Sequence, residues 1–335
     1  MSDDVTVVGL MADRGVPNRI AASVCERLAR DLRRDVGGQW EVRRSQEVLP
    51  VDPDGEIPLA AQAPALMERN EWDVVVYLTD LTHHRGGRPI RYEVCSPDPA
   101  TVVFVPALGV WRQRARTGRL LTGLVAAVSA GRQPSDDVVP KREISSLAGR
   151  LAMLAGMVHS NRPSRMLGAL TGCTAVGLAS GAFGIFYGSV WQIADALALA
   201  RLSAISLVVV TALAAWLIVS NGLWTHSARP HPPGRAVDNA STVITVCSAV
   251  ALMHVLLVAG LTALAFVVVD SAYFASQLGH DVGTWSYVRL GWFAASLGTI
   301  AGALGSNFDS EESVREATFS KRWYERRKLF DAYDR

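Results

Sequence analysis

The residues best suited to chemistry lie in one short stretch, Asp80-Leu-Thr-His-His-Arg-Gly-Gly-Arg88. Two imidazoles (His83, His84), a carboxylate (Asp80) and arginines, Arg85 among them, could hold a metal or an anion. Adjacent histidines on a loop chelate poorly without further ligands, so a solvated loop is the competing reading. Asp13 and Arg14 follow an apolar run at 5–11 and would join that stretch if both runs are parallel strands, because ligands of open α/β sheets sit beyond the carboxyl ends of the strands. A second constellation is Arg112, Arg116 and Arg119, at i, i+4, i+7 near the start of a helix. The helix dipole disfavours cations there. An anion or a lipid headgroup would offset that cost; a solvated face with acidic neighbours is the alternative. The third is His254, midway along an apolar stretch. A proton relay would need carboxylates or more histidines at that depth, and Thr171, Thr174, Ser180 and Thr211 are what the first two apolar stretches offer nearer their middles, so a histidine bonded to a neighbouring helix is expected. Arg289, Asp270 and Asp281 flank apolar stretches, where ion pairing or snorkelling to headgroups explains them.

Familiar catalytic motifs are missing. The segment Gly9-Leu-Met-Ala-Asp-Arg-Gly15 is not G-x-G-x-x-G, and there is no G-x-x-x-x-G-K-[ST], H-E-x-x-H or G-x-S-x-G. Cys25, Cys95, Cys173 and Cys247 form no C-x-x-C, which argues against a zinc or disulfide framework. No catalytic residue, resident metal or cofactor is assigned. The formal net charge of +2 gives no nucleic-acid signal.

The elements that must position these residues alternate. Runs at 5–11, 40–48, 73–80, 88–94 and 101–108 read as strands; Pro17–Arg34, Ile57–Glu71 and Trp111–Ala130 read as helices. Ile20, Val24, Leu28 and Leu32 share one helical face. This predicts a three-layer α/β domain over 1–130 with a mostly parallel sheet. The 88–94 run should pair antiparallel, because Gly86-Gly87 is too short a link for a crossover. Residues 131–165 read as a linker and a stalk or head-packing helix, with Ile144, Leu147, Leu151, Leu154 and Val158 on its seam. The acidic start MSDD lacks the basic region of a signal peptide, so this domain is expected in the cytosol.

Charge collapses after residue 165. Between 166 and 308 the charged residues are Arg201, Arg229, Arg235, Arg289, Asp195, Asp238, Asp270 and Asp281. Stretches at about 167–190, 203–223, 241–269 and 287–308 each reach the roughly 20 residues that cross a hydrocarbon core. The expected fold is therefore an α/β domain followed by an all-α four-helix transmembrane bundle. Arg162 and Arg165, then Arg229 and Arg235, then Lys321, Arg322, Arg326, Arg327 and Lys328 flank one side, which predicts cytoplasmic placement of both chain ends at the plasma membrane. Gly177, Gly181, Gly184 and Gly188 form one helical face, and Gly291, Gly298 and Gly302 repeat it in the last stretch. Such faces permit close helix packing, either inside one bundle or across a homodimer seam. The tail at 309–335 opens on Asp309-x-x-Glu312 and mixes Trp323, Tyr324 and Phe330 with basic residues, a pattern suited to anionic lipids.

The chain resembles a group of actinobacterial four-helix integral membrane proteins that carry an N-terminal cytosolic α/β domain and no assigned activity. The resemblance rests on NGLWTHSARP (221–230), DNASTVITV (238–246), LGHDVGTWSYVRLGWFAASLGTIAGALGSNFDSEESVREATF (278–319), VVVYLTDL (74–81), GRPIRYEV (87–94) and VVFVPALG (102–109). It implies a topology and no mechanism. The reading is a membrane protein presenting a binding or regulatory domain. A membrane-anchored, metal-dependent hydrolase and a small transporter with a polar path near His254 and Asn221 are the alternatives.

Overall fold

The computed structural model describes residues 5–52, 57–85, 88–134, 142–161, 163–224 and 232–305. The Gly86-Gly87 link, Arg229 and the basic-aromatic tail lie outside them. Two compact units divide near Ser160.

In the first unit, β1 (Val5–Ala12), α1 (Val16–Asp35), β2 (Gln39–Ser45), α2 (Leu59–Asn70), β3 (Val74–Thr79), β4 (His83–Arg85), β5 (Arg88–Ile90), β6 (Tyr92–Val94), β7 (Ala100–Phe104), α3 (Gln113–Ser129) and α4 (Leu147–Asn161) follow in order. The main sheet runs β2-β1-β3-β7-β6, with the first four strands parallel and β6 antiparallel at the edge. Alternate residues of the central strands fill two cores, as a sheet covered on both faces requires. Val8, Leu10, Val76, Leu78 and Val103 pack under α1 and α3. Met11, Val75, Tyr77, Val102 and Phe104 pack with Leu59, Ala63 and Leu66 of α2. The three-layer expectation holds. Gly9 sits mid-strand because a Cβ there would enter the Trp72 ring.

Three details differ from the sequence reading. The 88–94 run is two strands: β5 pairs with β4, and β6 pairs with β7. The 101–108 run stops as a strand at Phe104 and turns into a 3-10 helix over Val105–Leu108. α4 does pack on the head, but through Met153, Gly156 and Met157. A Cβ on Gly156 would meet the Pro106 backbone, 2.9 Å from its Cα, so the glycine lets the helix in and sets the buried face. Leu147 and Leu151 of the expected seam are 74% and 57% exposed.

The second unit holds α5 (Pro163–Ala169), α6 (Thr171–Ile185), α7 (Gly188–Ala196), α8 (Leu199–Ser220), α9 (Pro232–Val268) from Thr242 onward, its residues up to Ser241 belonging to the first unit, α10 (Ser271–Leu278) and α11 (Thr284–Gly305). Among the described residues three helices are long and apolar enough to cross a membrane: α8, α9 from Ala236, and α11, with best-window mean hydropathies of 2.5, 2.4 and 1.2. The first expected crossing is not one straight helix. It breaks at Phe186–Tyr187, and α6 and α7 meet at 92°. Glycines flank the break, and the indole N–H of Trp191 donates to the Ile185 carbonyl at 2.7 Å. A carbonyl freed inside an apolar bundle needs such a donor.

The glycine faces of α6 and α11 meet each other inside the chain. A Cβ on Gly177 would lie 3.1 Å from the Gly298 carbonyl oxygen; one on Gly181 would lie 3.1 Å from that of Ala294; one on Gly302 would lie 2.9 Å from that of Cys173. Gly291 abuts the Thr262 backbone of α9. Gly184 and Gly188 sit in ordinary contact with Ala294 and Gln277. Backbone-to-backbone packing of this kind replaces the hydrophobic drive that lipid removes.

Candidate functional site

The sheet reverses its order between β1 and β3, and the carboxyl ends of these strands carry the residues singled out above. Asp13 ends β1 and is fully buried. Its Oδ1 accepts from the Tyr77 hydroxyl, and its Oδ2 accepts from Thr79 Oγ1 at 2.6 Å and the Asp80 amide at 3.1 Å. Tyr77 also accepts the Leu49 amide at 3.1 Å. Asp13 thus ties β1, β3 and the segment after β2 together. Asp80 is equally buried. Neither carboxylate reaches solvent, contrary to the expectation that they face a ligand. A charged group at a buried strand end is stable only where donors surround it, and β3 supplies them. Arg14 is exposed at the edge.

His83, His84 and Arg85 form β4 and lie on a hairpin, not a free loop. The His83 ring stacks on Phe104 at 5.6 Å, and its Nε2 lies 3.9 Å from Glu93. Glu93 also pairs with Arg85 at 3.4 Å and Arg142 at 3.0 Å. The cations therefore gather on one carboxylate. The hollow between Leu81, His83, Glu93 and Phe104 has room for about one water (about 10 Å³). Among the described residues no three His, Cys, Asp or Glu side chains converge as metal ligands. Burial pushes the Cys95 thiol up to about 11, so it is not a nucleophile near neutral pH.

The arginine face is arranged differently from its spacing. Arg112 precedes α3 in a left-handed conformation (φ 53°), so it leaves the helical face. Arg116 donates to the Leu108 carbonyl at 2.9 Å and secures the 3-10 turn. Arg119 is exposed. Arg112 and Arg114 instead meet Arg19 of α1 and His159 of α4 around an open cleft of about 530 Å³, with Val16 and Ile20 on its apolar side. Arg19 lies far from the others in sequence, so spacing could not reveal the group. The cleft opens at the N-termini of α1 and α3, where neither helix has a side-chain cap or an acidic residue in its first turn.

In the second unit His254 bridges three helices. Thr299 donates its hydroxyl proton to the Ala295 carbonyl at 2.7 Å, so at 2.9 Å from His254 Nδ1 it accepts. Nδ1 therefore carries the proton, and Nε2 accepts from Ser206 at 3.0 Å. Ser206 in turn accepts the Trp292 indole N–H at 2.6 Å. This closed network is the neighbour-bonded histidine expected, although Ser206 was not among the partners foreseen. Asn221 bonds the Leu217 carbonyl of its own helix at 3.0 Å. Leu213, Leu217, Val250, Met253, Leu257 and Leu261 fill the apolar core of this unit.

Arg289 donates to the Asp195 and Leu197 carbonyls and lies 3.6 Å from the Asp195 carboxylate. His280 reaches the same carboxylate at 2.9 Å. That bond, followed by one to the Asp281 carbonyl, raises the His280 pKa above its ordinary 6.5. The ion pair is complete below the ordinary histidine value and is lost as pH rises through the higher folded-state value. Thermal stability in detergent should fall as pH rises above the ordinary histidine value. His280→Gln should flatten that part of the profile; an unchanged profile would show the clasp contributes nothing.

No family model, curated protein or solved structure is similar to this chain.

Proposed function

We propose that this is an integral membrane protein whose α/β domain is a cytoplasmic binding module. The observation that carries the reading is the outer surface of the second unit. Leu207, Val208 and Val219 on α8, Val255, Leu256 and Val267 on α9, and Ile300 and Leu304 on α11 are each 55% to 84% exposed. Water would leave this continuous apolar surface uncovered; hydrocarbon covers it. Counting α6 and α7 as one bent span gives four crossings. The basic residues at 162–165, 229–235 and 321–328 outnumber Arg201 and Arg289 at the opposite ends of the spans, beside Asp195, Asp270 and Asp281, and favour head and tail in the cytoplasm of the plasma membrane. The tail's basic and aromatic residues suit an anionic leaflet.

Binding is favoured over catalysis because Asp13 and Asp80 are enclosed and His83 is tied into the Glu93 cluster. The open feature at the sheet's carboxyl edge is the arginine cleft. Washing membranes with alkaline carbonate tests the membrane assignment. The full chain should stay in the pellet and leave only with detergent; release into the wash would contradict it.

A further inference from the structure

We infer that the cleft between the N-termini of α1 and α3 is a phosphate-binding site; this rests on the reading of the head as a binding module. Three arginines, Arg19, Arg112 and Arg114, line one cavity, with His159 beside them. None of the three arginines makes an ion pair or side-chain hydrogen bond among the described residues, although arginines elsewhere on this domain pair with Asp31, Glu41, Glu47, Glu93 and Glu143. Like charges gathered without counter-charge repel one another, and here they also sit at the positive ends of two helix dipoles. An anion removes both penalties at once.

The donor set specifies which anion. Val16 of α1 and Gln113, Arg114 and Ala115 of α3 line the cavity at first-turn positions, where backbone N–H groups have no partner within the helix. Gln113 is held to the Val105 carbonyl at 3.1 Å, which fixes the start of α3. On α1 Pro17 has no N–H and the Asn18 and Arg19 amides donate to the Asp13 and Gly15 carbonyls, so the free amides come chiefly from α3; with three arginine side chains they still exceed what a carboxylate's two oxygens accept. They match a phosphate, which has more acceptor oxygens and takes bidentate arginine contacts. The apolar wall of Val16 and Ile20 leaves room for the rest of a phosphate ester. The phosphate could belong to a soluble compound or to a lipid headgroup; the recognising chemistry is the same.

The test uses the full chain in nanodiscs and calorimetric titration with inorganic pyrophosphate. In neutral phosphatidylcholine discs pyrophosphate should bind saturably. The triple variant Arg19→Gln, Arg112→Gln, Arg114→Gln should raise Kd by at least about tenfold, because charge-assisted contacts are lost and the removed side chains hold no other partner. Arg119→Gln, on α3 but outside the cleft, should leave it unchanged. If headgroups are the natural source, discs containing phosphatidylglycerol should weaken pyrophosphate binding to the wild type and not to the triple variant; if a soluble phosphate is, both discs should give one affinity. The inference is overturned by equal binding to wild type and triple variant, or by no binding in neutral discs. A chain that resists carbonate extraction yet fails this titration refutes the phosphate site and leaves the membrane assignment standing.

Discussion

Replacing Asp13 by Asn should lower the stability of the α/β domain by on the order of 3 kcal/mol. The carboxylate is fully buried and accepts from the Tyr77 hydroxyl, Thr79 Oγ1 and the Asp80 amide. Hydrogen bonds to a charged acceptor contribute about 1.5–3 kcal/mol each, and a buried donor left unmet costs about 1–3 kcal/mol. The amide keeps one acceptor and turns a donor toward groups that also donate. The thermal midpoint should drop by roughly 5–10 °C. Tyr77→Phe removes one donor to Asp13 and takes away the acceptor of the buried Leu49 amide, and should cost about 2 kcal/mol. Combined with Asp13→Asn it should cost less than the sum of the two, because both act on one bond. If Asp13 were a ligand contact, Asp13→Asn would leave stability within about 0.5 kcal/mol and affect binding alone.

Gly298→Val should separate α6 from α11. A Cβ at 298 points into the Gly177 backbone, 3.1 Å from its carbonyl carbon, and nothing there can rotate away. Overpacking costs about 1–3 kcal/mol even where side chains can adjust; backbone against backbone should exceed that. We expect a large loss of detergent-resistant folded protein, read by thermal stability or by protease sensitivity at α6. Gly298→Ala should show a smaller loss of the same kind. Gly260→Val on α9 is the control: an added Cβ there meets nothing within 4 Å, and stability should hold. Equal tolerance at 298 and 260 would refute the glycine-to-glycine packing.

The contrast between these two sites explains what the sequence made legible. Apolar runs located the strands because both faces of the sheet are buried, and the Ile20, Val24, Leu28, Leu32 face located α1 with its packing side. The glycine spacing of α6 and α11 pointed to close packing, and the two faces turn out to be each other's partner. Most of what failed depended on pairs far apart in sequence, and one failure was local. The break at Phe186–Tyr187 lies in an uninterrupted apolar run, and nothing in that run marks the Trp191 indole as the donor to the Ile185 carbonyl. The buried face of α4 was set by a glycine against Pro106, not by the leucine seam. Asp13 looked accessible because strand-end carboxylates often are; its three donors come from β3, more than sixty residues on. The arginine cleft joins α1 to α3 and could not be read from the spacing of Arg112, Arg116 and Arg119.

The central claim is that the apolar helices cross the bilayer and hold the α/β domain on the cytoplasmic side. Substituted-cysteine labelling in cells expressing the chain tests it most directly. Arg30, on the exposed side of α1, and Asp281, between α10 and α11, are replaced by cysteine one at a time and treated with a membrane-impermeant maleimide. Asp281→Cys should label in intact cells, and Arg30→Cys only after the membrane is permeabilised. Labelling of Arg30→Cys in intact cells, or of both positions only after permeabilisation, would contradict the account.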